Sequence, residues 1–176
     1  MTTTVSQLQS ELADREAIRE CLFRYARGVD RLDEDLLRTA YWPDAVDNHL
    51  MFKGSIDEFI TWAFPLMRAM DRNQHIIGNI LITLDGSKAA VESYFYGIQR
   101  VKVSGVARDT VASGRYLDRF ERRRDEWRIA ERIVVTDWFR EYADSADWTN
   151  GPFGVADAAR GAPFPEDQSY AWLGLR

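Results

Sequence analysis

Between residues 14 and 29 the apolar positions fall at Ile18, Leu22, Tyr25 and Val29, with Cys21 and Ala26 beside them. Steps of three and four put these side chains on one stripe of a helix. Gly28 lowers helix propensity near its end. A second, shorter helix is expected over residues 33–41, with Asp33 as N-cap and Pro43 as the stop. Ser55 and Glu58 have the spacing of a capping box. They open a third helix that points Ile56, Phe59, Ile60, Ala63 and Met67 inward, and Pro65 should kink it or end its regular part.

From His75 onward the period changes to two. Residues 75–84 read as a strand closed by the turn pair Asp85-Gly86, followed by strands over 88–103, 109–122 and 127–139. Four long consecutive strands imply an antiparallel meander, and helices followed by strands is the α+β order. Such a sheet must twist and curve, and the helices can close its concave side around a pocket. The expected domain spans residues 1–143. Residues 144–176 are irregular yet carry Trp148, Phe153, Phe164, Tyr170 and Trp172. They are expected to pack on the domain or on a neighbouring subunit, with Trp148, Phe153 or Trp172 against it and part of the stretch over the pocket mouth.

Composition narrows the function. The 176 residues are 45% hydrophobic, enough for a core in one domain. A net charge of -5 argues against nucleic acid as partner, because phosphate binding needs surplus Lys and Arg. Cys21 is the single cysteine, so an internal disulfide and a thiolate metal cage are excluded. No secretory leader and no span of about 20 apolar residues is visible. A cytoplasmic protein with no membrane partner is the expectation.

Histidines are scarce, and each can be weighed. His75 opens a strand and reads as a core histidine or as a general base, since imidazole titrates near neutrality. Asp30 follows the first helix and either caps its turn or orients an imidazole, fixing the tautomer and balancing the charge. Tyr25 lies on the same apolar stripe, as packing or as a donor to a substrate oxygen. Arg132 shares a strand face with Val134, Thr136 and Trp138, as an edge charge or a buried cation. By the same alternation Asn79 shares the face of His75. Asn79 and Trp138 are taken as substrate contacts. His49 and His75 lack zinc spacing, and no glycine-rich nucleotide loop or serine elbow occurs. No metal and no cofactor is expected. The arginines from Arg119 to Arg128 surround a hairpin turn and alternate with acids, as a solvated turn does.

Tyr25-Ala-Arg-Gly-Val-Asp30, His75-Ile-Ile-Gly-Asn79 and the Phe120-Glu-Arg…Trp127-Arg-Ile hairpin, in that order, resemble the SnoaL-like branch of the nuclear transport factor 2-like superfamily over residues 10–142. The resemblance implies a cystatin-like α+β fold, with N-terminal helices on a strongly curved, mainly antiparallel sheet forming a cone-like pocket. It implies a dyad of Asp30 and His75, with Tyr25 and Arg132 at further catalytic positions of the family's dehydratases and dehydrochlorinases. The implied activity is a cofactor-independent lyase, or a related isomerase, acting on a hydrophobic cyclic or polycyclic molecule. The family also holds non-catalytic binding and assembly proteins, which is the alternative. Its enzymes imply a homo-oligomer, with a trimer favoured over a dimer.

Overall fold

The structure, a computed structural model, describes residues 4–143 and 160–174. Helix α1 (Val5–Arg31) begins nine residues earlier than the apolar stripe. Thr4 caps it, because its hydroxyl accepts from the Gln7 N–H while the Gln7 side chain accepts from the Thr4 N–H. Leu32, in the left-handed region, ends it. Asp33 starts α2 (Glu34–Arg38) by accepting from the Leu36 N–H at 3.0 Å. This helix is shorter than expected, since Tyr41 already belongs to strand β1 (Tyr41–His49). Pro43 therefore sits in a strand and does not stop a helix. It lies in the irregular stretch between the two points where β1 meets its parallel neighbour, and beyond the reach of β2 (Phe52–Gly54), so few ladder bonds are asked of it.

Ser55 and Glu58 form the expected capping box of α3 (Ile56–Arg68), which buries Ile56, Phe59, Ile60, Ala63 and Phe64. The helix continues past Pro65 for three residues. The meander follows as β3 (Arg72–Asp85), β4 (Lys88–Val103), β5 (Val106–Arg123) and β6 (Glu126–Tyr142). The sheet order is β2-β1-β6-β5-β4-β3, antiparallel except that β1 runs parallel to β6. It is an open, six-stranded mixed sheet preceded by helices, an α+β fold. The α1 stripe of Ile18, Leu22, Tyr25 and Val29 packs on Ile82, Val91, Phe95, Tyr116, Phe120 and Ile129. Full burial of each large apolar side chain stabilises by roughly 1.5–3 kcal/mol. Polar ties fix the helix on the sheet: Trp127 Nε1 donates to Asp14 at 2.8 Å and Arg15 to the Ile82 carbonyl at 2.8 Å.

Three further breaks in register, within the meander, reset which side chains face the helices. They fall between Ile77 and Ile80 on β3, beside Ser113–Gly114 between β5 and β6, and beside Arg119–Phe120 of the same pair. At the second, Gly114 pairs with Thr136 and Ser113 with Trp138, so Asp137 is an extra residue. A Cβ on Gly114 would stand 2.0 Å from the Val135 carbonyl oxygen, so this close approach admits glycine alone.

Helix α4 (Gln168–Leu173) docks at the corner of α1 and α2. The buried Tyr170 donates its hydroxyl to Asp33 at 2.8 Å, and the Phe164 N–H donates to the Arg31 carbonyl at 2.6 Å. Trp172 is 89% exposed, so it is not the expected anchor; Trp148 and Phe153 lie outside the described residues. Among the described residues no helix is long and apolar enough to cross a membrane.

Candidate active site

Helix α1 ends at Arg31, which leaves Asp30 in its last turn beside the start of β3. Asp30 Oδ2 accepts from the backbone N–H of His75 at 2.8 Å, and Oδ1 stands 2.6 Å from His75 Nδ1. Both oxygens thus hold one residue. Because a carboxylate only accepts, Nδ1 carries the proton, and Nε2 is left as the basic nitrogen. Both side chains are about nine-tenths buried, at 10% exposure for His75 and 8% for Asp30. His75 pairs with Gly97 of β4, and the imidazole edge with Nε2 passes over that glycine; a Cβ there would touch it at 3.4 Å. Nε2 has no hydrogen-bond partner among the described residues.

Tyr25 and Arg132 belong to a second, deeper cluster. Tyr25 precedes Asp30 by five helical residues, about 7.5 Å along the axis. Arg132 is fully buried and binds Asp118 through Nε at 2.7 Å and Nη2 at 2.6 Å. Its guanidinium lies 4.0 Å from the ring centres of both Tyr25 and Tyr116. Burial opposes its charge, but the facing Asp118 carboxylate holds its pKa well above the ordinary arginine value. Burial likewise pushes the Tyr25 hydroxyl up to about 12. Arg132 is therefore engaged by Asp118 and enclosed by the Tyr25 and Tyr116 rings.

Asn79 and Trp138 do not join the face of His75. Simple alternation from His75 through Ile77 would bring Asn79 inward, but the register break after Ile77 leaves it exposed in the bulge. The bulge at Asp137 likewise turns Trp138 out, where it is 70% exposed.

Sequence reasoning missed a third polar group. Asp47 is fully buried on β1, accepts from the Tyr41 hydroxyl at 2.6 Å and faces His49 Nδ1 at 3.4 Å. The alternation of Ala45, Asp47 and His49 was the available signal for this strand. Among the described residues, no three His, Cys, Asp or Glu side chains converge as metal ligands.

A family model described as SnoaL-like domain matches residues 10–133. No curated protein matches the chain. Several solved structures share its fold. A type 2 hexachlorocyclohexane dehydrochlorinase superposes with a TM-score of 0.71 at 18% identity, covering 82% of this chain and 97% of its own. A type 3 dehydrochlorinase from Novosphingobium barchaimii gives 0.67 at 18% identity over 76% and 92%. A candidate scytalone dehydratase from Novosphingobium aromaticivorans gives 0.68 at 20% identity over 85% and 99%.

Proposed function

The chain belongs to the SnoaL-like domain family, and from that premise we propose that it is a lyase of the dehydratase type, or a closely related isomerase, acting on a hydrophobic cyclic small molecule. The observation that carries the reading is the 2.6 Å contact of Asp30 with His75 Nδ1, with Nε2 left without a partner among the described residues. In this reading Nε2 removes a proton from carbon next to a carbonyl. The electron pair of that bond becomes the new double bond as the carbon–oxygen bond on the neighbouring carbon breaks. The proton passes to the departing hydroxyl, and water leaves. Returning the proton to another carbon instead would be isomerisation. Asp30 holds the productive tautomer and balances the imidazolium charge. General-base catalysis of this kind contributes roughly 10²–10⁴ in rate.

Two fold neighbours are named as a dehydrochlorinase and a candidate dehydratase, and both names denote eliminations. Tyr25 and Arg132 are buried against one another and Arg132 is held by Asp118, so in this reading Asp30 and His75 carry the proton transfer. The engagement of Arg132 by Asp118 favours the second reading, a binding protein of this fold without turnover. A panel of hydroxylated alicyclic and aromatic polyketide ketones, assayed for alkene or isomer formation, tests the proposal. Turnover should fall by at least about 10²-fold in His75→Ala and in Asp30→Asn. Undiminished turnover in His75→Ala would refute the base assignment; binding without turnover would favour the second reading.

A further inference from the structure

Helix ends fray, and Asp30 sits in the last turn of α1. Its contact with His75 therefore needs something that keeps this turn in place. Residues 160–174 grip the turn from outside. The Phe164 N–H donates to the Arg31 carbonyl at 2.6 Å, giving a partner to a carbonyl that the helix itself leaves without one. The Arg31 guanidinium faces Asp167 and the Ala162 carbonyl, each at 3.5 Å. One turn earlier, Arg27 donates to the Ser169 hydroxyl at 3.0 Å and lies over the Tyr170 ring, 4.4 Å from its centre. Tyr170 reaches past the helix end and donates to Asp33 at 2.8 Å.

These grips bracket Asp30. Residues three and four apart are neighbours on a helix surface, so Arg27 stands beside both Asp30 and Arg31. Gly161 and Pro163 also share with Asp30, Leu32 and Met70 the lining of a cavity of about 120 Å³. The C-terminal segment is thus part of the wall beside the carboxylate as well as a tie on the turn that carries it.

We infer that residues 160–174 are a positioning clamp for the Asp30–His75 pair, with Tyr170 as its anchor. The clamp stops the last turn of α1 from fraying, keeps both Asp30 oxygens on His75, and so holds the proton on Nδ1. Tyr170 is a positioning residue, acting through Arg27 and Asp33. Its catalytic use rests on the reaction reading above; the geometry of the clamp does not.

Proton NMR of the full chain tests the clamp without any substrate. A ring proton held against a carboxylate resonates downfield of the amides, and His75→Ala assigns it by its loss. Tyr170→Ala gives up both a hydrogen bond and the ring beneath Arg27, and should speed exchange of that proton with water by about tenfold or more. Tyr170→Phe, which keeps the ring, should recover part of the loss. Asp167→Asn should act in the same direction by less, and decides alone if Tyr170→Ala does not fold. Trp127→Phe gives up a hydrogen bond to Asp14 at the other end of α1, and should leave the exchange unchanged. Where a ketone is turned over, Tyr170→Ala should lower kcat more than it raises KM. The expected exchange rates without turnover of any ketone leave the clamp standing and remove the reaction. A parent chain without the downfield proton, unchanged exchange in Tyr170→Ala, or equal acceleration in Trp127→Phe overturns the inference.

Discussion

Asp30 and Asp167 illustrate two uses of a carboxylate at the residue scale. Asp30 gives both oxygens to one residue, His75, and so orients a ring. Asp167 spreads its oxygens over the N–H groups of Ala162 and Ser169, at 3.0 Å each, and the Ser169 hydroxyl, with Arg31 at 3.5 Å. These donors, the Ser169 hydroxyl foremost, hold its carboxyl down at about 2, against an ordinary 3.8. The folded chain therefore binds this proton less readily than the unfolded chain. The stability it contributes is fully present above the unfolded value and is lost as the pH falls from there through the folded one. Asp167→Asn should unfold at lower denaturant than the parent at pH 6, and the gap should shrink by pH 3. A gap that stays constant over that range would show that the carboxylate charge is irrelevant to the docking of α4.

At the element scale, the bulges decide more than the strands do. Strand β4 has the bounds its residue types predict, and β3, β5 and β6 extend their expected ranges by a few residues. Yet the faces of β3 and β6 swap wherever an extra residue enters. The bulge beside Gly114 keeps Arg132, Val134 and Thr136 on one face and turns Trp138 to the other. A Cβ at Gly114 would collide with backbone and not with a movable side chain. Gly114→Ala should therefore cost at least about 3 kcal/mol in denaturant unfolding, toward the severe end of single substitutions. A loss below about 0.5 kcal/mol, the range of ordinary surface changes, would mean that the bulge relaxes without penalty. The strands β1 and β2 escaped the sequence reading because in 42–54 the apolar residues fall in irregular steps among proline, acids and asparagine. Pairing of β1 with β6, remote in sequence, and of β2 with β1 makes them strands.

At the scale of the whole molecule, the outer face of the sheet is too apolar for a face meant for water. Leu81 is 67% exposed, and Tyr94, Tyr96, Ile133 and Trp138 are exposed with it. A groove of about 340 Å³ runs past Leu81, Ala90, Leu117 and Ile133. The charges on this face pair among themselves, Arg115 with Glu92 and Asp137, and Arg119 with Glu131. The charges of the patch are thus paired within it, which suits it to burial against another copy. We expect a homo-oligomer through this face, a trimer in preference to a dimer. Sedimentation at micromolar concentration should give the mass of three chains, and the double variant Leu81→Lys, Ile133→Lys should sediment as one. A monomeric parent chain would rule the assembly out.

Local chemistry was legible in the sequence wherever a residue acts through its neighbours along the chain. The stripe of α1, the capping box of α3 and the alternation of β4 all depend on side chains within a few positions of one another, so periodicity found them. Asp30 and His75 could be paired only through the family resemblance, because 45 residues separate them and nothing local records their contact. Tertiary structure alone decided where the carboxylates that act across distant segments go. It set Asp118 on Arg132 and buried Asp47 beside Tyr41 and His49. It also sent Asn79 and Trp138 outward. The physical reason is common to all of these. One inserted residue reverses a strand's faces, and partners brought together by strand pairing meet only after the register between distant segments has been chosen.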